Sequence, residues 1–530
     1  MIRTSFLRSI ILCIALISFP AIAEQTDYGH TTFPNSGAEE AQEAFMQGLL
    51  MLHSFEYADA RAAFAEARKI DADFAMAYWG EALTHYRMLW NEIELEEART
   101  VLAQLGDTPA HRAAKAKTQR EKDYIAALEV LLSGDDDSAR AAQYAAALEI
   151  LASDYPDDEN AAAFYALALL GSSGADRNFA IYMKSAAVSE AIMAKNPRHP
   201  GAVHYLIHAY DDPIHAPLGL RPALIYAGIA PAATHALHMP SHIFFPLGMW
   251  RDATDINKRS YAAGLAWGAR NGVPINGGGA HGLSWLVYSL LQEGQYESAR
   301  DHMEQFEKIM RQDPARTGQF VETWATYLVE TEFSDAKFAS VALDPSKMPS
   351  RRSSMIHYVR GAMAAKAGDI ESAEAELASL AALEMKLHDL NWSEKARDVM
   401  LLELRALIQR AQGNADAAIQ LLYQAADIEF AMPRRFGPPW PPKPSHELLG
   451  ELLAEQGKHD AARQQFKIAL SLAARRSKSV LGLARASAAL GLDDEALRTY
   501  ASLADNWRRA DTRFAALEEA RELGGSSDAR

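Results

Sequence analysis

The stretch SHELLGELLAEQGKHDAARQQFKIAL, residues 445–470, decides the fold. Gly450, Ala462 and Phe466 fall where two helices would face each other, and Gly457 separates the two helical patterns. A glycine at such a junction favours a turn, because it reaches left-handed backbone angles at little cost. The stretch therefore predicts two antiparallel helices joined near Gly457.

Parts of the same spacing return along the chain, with small residues at the crossing points and an aromatic or aliphatic residue filling the gap between helices. These positions resemble the tetratricopeptide repeat, a helix–turn–helix unit of about 34 residues. Leu449-Gly450 matches the Leu-Gly pair of that family, whereas His446 stands where its first-helix tryptophan would be. The resemblance implies an all-α solenoid with a concave groove that binds a protein or peptide partner. The recurring positions are Gly48, Ala60, Phe64 and Ala67; Gly361, Gly368, Ala373 and Leu377; Gly413, Ala418, Leu422 and Ala425; and Gly491, Ala496 and Tyr500.

The match is strongest at residues 41–90 and 354–505, and the spacing drifts between them. We therefore predict N-terminal and central helical repeats over residues 24–353, with a cluster of histidines, and C-terminal tetratricopeptide repeats over residues 354–530.

The first 23 residues have the pattern of an export signal. Arg3 and Arg8 precede the apolar run 10–19, and the small-residue pattern of residues 21–23 is typical of a cleavage site. A membrane anchor is the alternative, but the apolar run is short for a bilayer span. We expect a periplasmic or secreted protein with no membrane span after cleavage.

Charge and cysteine content exclude several functions. The net charge of −16 disfavours nucleic-acid binding, since an acidic surface repels phosphate backbones. The one cysteine, Cys13, lies inside the predicted signal, so disulfides and cysteine-based zinc sites are excluded from the mature chain.

A group of histidines in the central segment is the main candidate site. Counting from the repeat turns puts them at first-helix positions which, by the resemblance, line the concave groove. Neutral imidazoles bind zinc, copper or iron, so the group could hold one ion with spare ligands or two ions close together. The alternative is a set of ordinary buried histidines bonded to backbone or water. The six candidate ligands are His204, His208, His235, His238, His242 and His281.

Neighbouring residues qualify this prediction. Asp211, Asp212 and Glu81 could complete the metal environment. Pro240 either kinks the helix that carries the middle histidines or begins a new helix, which would leave His235 and His238 on a loop. His199 and His215, outside the group, are predicted to be surface residues in turns.

The proline-rich segment 433–444 cannot be helical and predicts an extended loop. It is either a spacer between repeats or a lid, in which Phe436 and Trp440 would pack over the groove.

Three functions remain open from the sequence. The first is an exported solenoid that binds a partner in its groove and carries a histidine-ligated transition metal. The second is a metal-dependent enzyme, a hydrolase or oxidoreductase, that uses the same histidines. The third is a scaffold without metal, in which the histidines contact a peptide.

Overall fold

The structure, a computed structural model, describes residues 27–90, 92–133, 137–173, 177–385, 390–433 and 437–525. These residues form helices almost throughout, and one small antiparallel ladder pairs β1 (Tyr86–Arg87) with β2 (Glu92–Ile93). The helices are α1 (Gln42–His53), α2 (Tyr57–Ile70), α3 (Ala75–Leu83), α4 (Leu95–Ala103), α5 (Pro109–Lys115), α6 (Gln119–Leu132), α7 (Asp137–Asp154), α8 (Glu159–Ser172), α9 (Phe179–Lys195), α10 (Pro200–Tyr210), α11 (Ala216–Ile229), α12 (Thr234–His238), α13 (Ser241–Phe244), α14 (Trp250–Asn271), α15 (Gly277–Gln292), α16 (Tyr296–Gln312), α17 (Thr317–Glu330), α18 (Ala336–Ala339), α19 (Ser350–Ala367), α20 (Ile370–Ala381), α21 (Leu390–Ala411), α22 (Ala415–Ala431), α23 (Ser445–Glu455), α24 (His459–Leu472), α25 (Ser477–Ala489), α26 (Asp493–Asn506) and α27 (Ala515–Gly524).

Consecutive helices pack as hairpins, which confirms the predicted all-α solenoid. In the hairpin α23–α24, a Cβ at Gly450 would lie 2.9 Å from the ring of Phe466, so only glycine fits this crossing. Gly48 meets Phe64 at the same distance in α1–α2. Gly457 has a φ of +71°, as expected for the turn between helices.

The helix that would carry His235, His238 and His242 is broken. α12 ends at His238 and α13 begins at Ser241, with Met239-Pro240 between them. A new helix begins directly after Pro240, as one of the two alternatives expected, because proline cannot donate a hydrogen bond to the preceding turn. That alternative was wrong in placing His235 and His238 on a loop, since both belong to α12.

The C-terminal helices return to the middle of the chain. The indole N–H of Trp250 donates to the Arg475 carbonyl at 2.8 Å, and the Arg476 guanidinium donates to the Tyr288 hydroxyl at 2.6 Å. Residues separated by more than 180 positions thus bond directly, so the C-terminal helices pack against the middle of the chain.

The described part of the proline-rich segment is non-helical, as predicted. Trp440 packs on Trp392 with ring centroids 5.0 Å apart, and a Cβ at Gly437 would lie 2.6 Å from the indole of Trp285. Phe436 and the predicted signal, residues 1–23, lie outside the described residues. Among the helices that the structure describes, none combines the length and apolarity needed to span a membrane.

Candidate metal centre

Four helices bring the six histidines together. α10 carries His204 and His208 one turn apart, and the broken pair α12–α13 carries three more. His281 lies in the second turn of α15, and its ring centroid is 4.5 Å from that of His238. His281 is half-buried, whereas the others are almost completely excluded from solvent.

The six side chains form two adjacent groups of three. The first trio is His204, His208 and His235; the second trio is His238, His242 and His281. Within each trio, one nitrogen from each ring lies within 4.8 Å of the others. The two groups meet where the rings of His208 and His242 stand 5.1 Å apart in an edge-to-face contact.

Two pairs of nitrogens approach closely. In the first trio the Nε2 atoms of His204 and His235 lie 3.1 Å apart, and in the second trio the Nε2 atoms of His238 and His242 are separated by the same distance. Two nitrogen ligands at about 2.1 Å from one ion stand about 3.0–3.4 Å apart. Each pair is therefore spaced as two ligands of one ion would be.

The other ring nitrogen is fixed in four of the six histidines. Nδ1 of His204 faces the His53 carbonyl at 2.7 Å, and Nδ1 of His238 faces the Asn257 amide oxygen, also at 2.7 Å. Because these oxygens only accept, each Nδ1 must carry the proton and donate it. Nε2 is then left with a lone pair, which is the state that binds a metal.

One carboxylate serves both trios. Oδ2 of Asp211 accepts from Nδ1 of His208 at 3.3 Å and from Nδ1 of His242 at 3.0 Å. Oδ1 of Asp211 accepts from Arg177 at 2.6 Å. Burial alone would raise the pKa of Asp211, but the charge of Arg177 and the two histidine bonds hold it well below its usual range. Asp211 therefore remains ionised and orients one ring of each trio.

Burial favours the neutral form of five of the six imidazoles. Burial lowers the pKa of His242 and of His281 to about 4, and it lowers the pKa values of His204, His235 and His238 well below 6.5. The Nε2 atoms of His238 and His242 face each other at 3.1 Å, and a cation between them would take both as ligands.

Aromatic rings surround both trios. Phe55 lies 4.3 Å from the ring of His204 and 5.3 Å from that of His235, while Trp285 stacks on His242 at 4.6 Å. Phe55 has a φ of +58° at the position after the C-cap of α1, where glycine is common. A bulky side chain in this left-handed conformation is strained, and here it directs the ring onto the histidines.

Other residues differ from the expectations. His199 is fully buried as the N-cap of α10, where Nδ1 accepts from the Ala202 N–H, so its prediction as a surface residue is wrong. His215 is half-buried and bonds Asp212 at 2.8 Å. Glu81 forms an ion pair with Arg68 at 2.8 Å.

Sequence reasoning missed the partners that orient the rings. Asn257 and Arg177 lie on distant segments, and the His53 contribution is a backbone carbonyl, which no side-chain pattern reveals. Glu56 was also missed: its carboxylate accepts from the His235 backbone N–H at 2.9 Å, and burial raises the pKa of Glu56 to about 7. One sequence feature could have indicated these residues: His53, Phe55 and Glu56 follow one another closely at the end of a predicted helix.

The chain resembles tetratricopeptide-repeat proteins. Solved structures similar to it include the Cut9-Hcn1 hetero-tetramer of APC/C, with 12% identity, 90% of this chain and 78% of that chain covered, and a TM-score of 0.36. Another is the human IFIT1 dimer with m7Gppp-AAAA, with 13% identity, 92% of each chain covered and a TM-score of 0.36. A third is the P58(IPK) TPR domain, with 11% identity, coverages of 86% and 99%, and a TM-score of 0.21. No protein-family profile and no functionally described protein matches the sequence.

Proposed function

We propose that the protein binds two transition-metal ions, zinc, copper or iron, in the two histidine trios. The observation that carries this proposal is which ring nitrogen carries the proton in four of the six histidines. Acceptors hold the Nδ1–H groups of His204, His208, His238 and His242 on the outside, so the Nε2 lone pairs converge. Metal-binding histidines typically show this arrangement, in which a carbonyl or carboxylate orients each ring.

The same geometry supports a metal-dependent enzyme. Three protein ligands leave a coordination position for water or dioxygen, which is typical of catalytic rather than structural sites. Glu56 lies beside the first trio, where its carboxylate accepts from the His235 backbone N–H at 2.9 Å, and a carboxylate so placed is a candidate general base. We therefore infer a hydrolase or oxidoreductase in which the metal ions activate a small oxygen ligand.

Elemental analysis of full-length protein without a histidine tag tests the metal proposal. We expect two equivalents of transition metal per chain, and a loss of one in each of the variants His204→Ala and His238→Ala. His302→Ala is the matched control, because His302 lies outside the trios and bonds the Ser298 carbonyl. Less than one equivalent in the native protein, after reconstitution with zinc, copper and iron in turn, would contradict the proposal.

A second candidate is binding of a protein or peptide in the concave groove. An open depression of about 770 Å³ between α16, α17 and the C-terminal helices supports it, because this space is large enough for several side chains of an extended peptide. Its lining has charges of both signs and includes Tyr296, Arg300, Lys366, Lys478 and Phe514. A photo-crosslinking residue at position 296 should form discrete adducts in extracts, whereas one at the exposed Ile150 should not.

We also propose that the protein is exported to the periplasm or beyond, on the basis of the N-terminal sequence pattern. A periplasmic fraction that contains the chain cleaved after residue 23 would support this, and retention of uncleaved chain in the cytoplasm would oppose it.

A further inference from the structure

A small cavity lies between the histidine trios and the C-terminal helices. It has a volume of about 120 Å³, and its wall includes Asp211 and Phe245 on one side and Trp392 and Trp440 on the other. Asp211 is the carboxylate that accepts from one histidine ring of each trio. The cavity therefore adjoins the candidate metal centre.

A second contact joins the cavity wall to the second trio. Phe245 and Gly437 both line the cavity, and both lie against Trp285. The ring centroids of Phe245 and Trp285 are 4.4 Å apart, and a Cβ at Gly437 would lie 2.6 Å from the indole. Trp285 in turn stacks on His242. Residues that line the cavity thus reach His242 either directly, through Asp211, or through the single ring of Trp285.

Three tryptophans line the cavity, and each indole N–H already has a partner. Trp250 and Trp392 donate to backbone carbonyls at 2.8 Å and 3.2 Å, and Trp440 donates to the sulfur of Met355 at 2.9 Å. These bonds fix the rings, which present mainly apolar faces. Preformed apolar cavities bind apolar molecules, and one of about 150 Å³ holds benzene. A cavity of comparable size suits a single aromatic ring.

One histidine in the wall has an unused acceptor. His446 is 7% exposed, and its Nδ1 faces Oε1 of Gln465 at 2.7 Å. Because this oxygen only accepts, Nδ1 carries the proton and Nε2 keeps its lone pair. Nε2 is buried and has no hydrogen-bond partner among the described residues. A buried acceptor without a partner is costly, so a ligand with a donor group gains affinity by satisfying it.

Other polar side chains of the wall have partners. Asp211 accepts from Arg177 at 2.6 Å, and Glu429 accepts from the Ser445 backbone N–H at 2.7 Å. The hydroxyl of Tyr288 accepts from a buried guanidinium at 2.6 Å. His446 is therefore the side chain in the wall that lacks a donor.

We propose that this cavity binds a phenol, a single aromatic ring whose hydroxyl group donates to Nε2 of His446. The tryptophan faces hold the ring, and Asp211 in the wall connects the bound molecule to both trios. The inference rests on the proposed function where it names phenols as the substrate class of the metal centre. Binding of the phenol itself requires no metal.

Fluorine NMR titrations of the metal-free, full-length protein test the binding. We expect one equivalent of 4-fluorophenol to bind about three- to tenfold more tightly than fluorobenzene, which lacks the donor. In His446→Phe the two compounds should bind equally. His357→Phe is the matched control, because His357 bonds Glu376 outside the cavity. Equal affinities in the native protein, saturable binding of neither compound, or a preference that persists in His446→Phe would overturn the proposal.

A second experiment locates the bound molecule relative to the trios. Cobalt(II) binds nitrogen ligands much as zinc(II) does, and it is paramagnetic. The fluorine signal of bound 4-fluorophenol should broaden in cobalt-loaded protein and stay sharp in zinc-loaded protein. A sharp signal with two cobalt ions bound would overturn the substrate assignment. If 4-fluorophenol binds but neither metal does, the proposed function and the substrate assignment both fail, and the phenol site stands.

Discussion

Among the described residues, two buried polar clusters differ in whether they contain their own counter-charges. The ionic cluster consists of Arg476, Glu447, Glu330 and Lys443. Arg476 bonds Glu447 through two nitrogens, each at 2.8 Å, and Lys443 bonds Glu447 at 2.8 Å. The histidine cluster, formed by the two trios, consists of imidazoles alone, and two pairs of its Nε2 atoms lie 3.1 Å apart.

The difference separates a structural cluster from a candidate binding site. In the ionic cluster each buried charge meets an opposite charge, so the group is complete as folded. Burial would raise the pKa of Glu447, but Arg476 and Lys443 hold it well below its usual range. In the histidine cluster two pairs of imidazole nitrogens face one another with no opposite charge between them. A cation between such nitrogens would take both as ligands, so this cluster is the candidate binding site.

One helix connects the two clusters. α15 places His281 in the second trio, Trp285 on the ring of His242, and Tyr288 on the guanidinium of Arg476. These three residues are four and three positions apart, so they follow one face of the helix. A change in either cluster can therefore be tested for its effect on the other.

Loss of Arg476 should have the largest effect. Arg476→Met leaves Glu447 and Glu330 buried beside one another without their main partner, which typically costs about 3–5 kcal/mol. Urea unfolding should show this loss, with metal stoichiometry unchanged in the protein that remains folded. Arg485→Met is the matched control, because the Arg485–Glu519 pair is half-exposed and contributes about 0–1 kcal/mol. Similar losses in the two variants would show that the ionic cluster has no special structural role.

The repeat pattern predicted the parts of the fold that depend on local packing. The Gly450–Phe466 contact and the turn at Gly457 follow from spacing within one hairpin. The return of the C-terminal helices could not be predicted, because the Arg476–Tyr288 bond joins residues 188 positions apart. Such contacts depend on how small rotations between hairpins accumulate, which a local pattern does not specify.

For the candidate site, the sequence indicated which histidines lie in the same region but not which of them belong to the same trio. The split falls between His235 and His238 on the short helix α12, and His242, beyond the break at Met239-Pro240, joins His238 in the second trio. The Nδ1 partners are a backbone carbonyl, an amide and one shared carboxylate, and their positions depend on tertiary contacts. Metal binding itself stays a prediction.

Acid should destabilise the metal-free protein through the histidine cluster. Burial lowers the pKa values of His242 and His281 to about 4 in the folded state, whereas unfolded histidines have a pKa near 6.5. Between pH 6.5 and 4 the unfolded chain binds more protons, so stability falls as the pH decreases. At pH 5 these two groups together cost about 4 kcal/mol. Urea unfolding of chelator-treated protein at pH 7, 6 and 5 measures the trend.

The C-terminal repeats should respond to pH in the opposite direction. Burial and the nearby charge of Glu429 raise the pKa of Glu403 to about 8, so the folded state keeps a proton that the unfolded chain releases above pH 4.5. Its contribution to stability decreases as the pH rises towards 8. Glu403→Gln should remove this decrease and leave the acid sensitivity unchanged. Acid sensitivity that disappears in Glu403→Gln would mean that the histidines are not its source.

A smaller effect should show whether the proline-rich loop, residues 433–444, is a spacer between repeats or a lid. The loop meets the ionic cluster through Lys443, while Gly437, with a φ of +98°, lies against Trp285. Gly437→Ala and Gly457→Ala both place a side chain at positive φ, which costs about 1–2 kcal/mol, but Gly457 has open space around its Cβ. Gly437→Ala should therefore unfold at a lower temperature than Gly457→Ala, because its Cβ would also meet the Trp285 indole at 2.6 Å. Release of metal to a chelator should accelerate only in Gly437→Ala, since a displaced Trp285 uncovers His242; equal rates would favour a spacer over a lid.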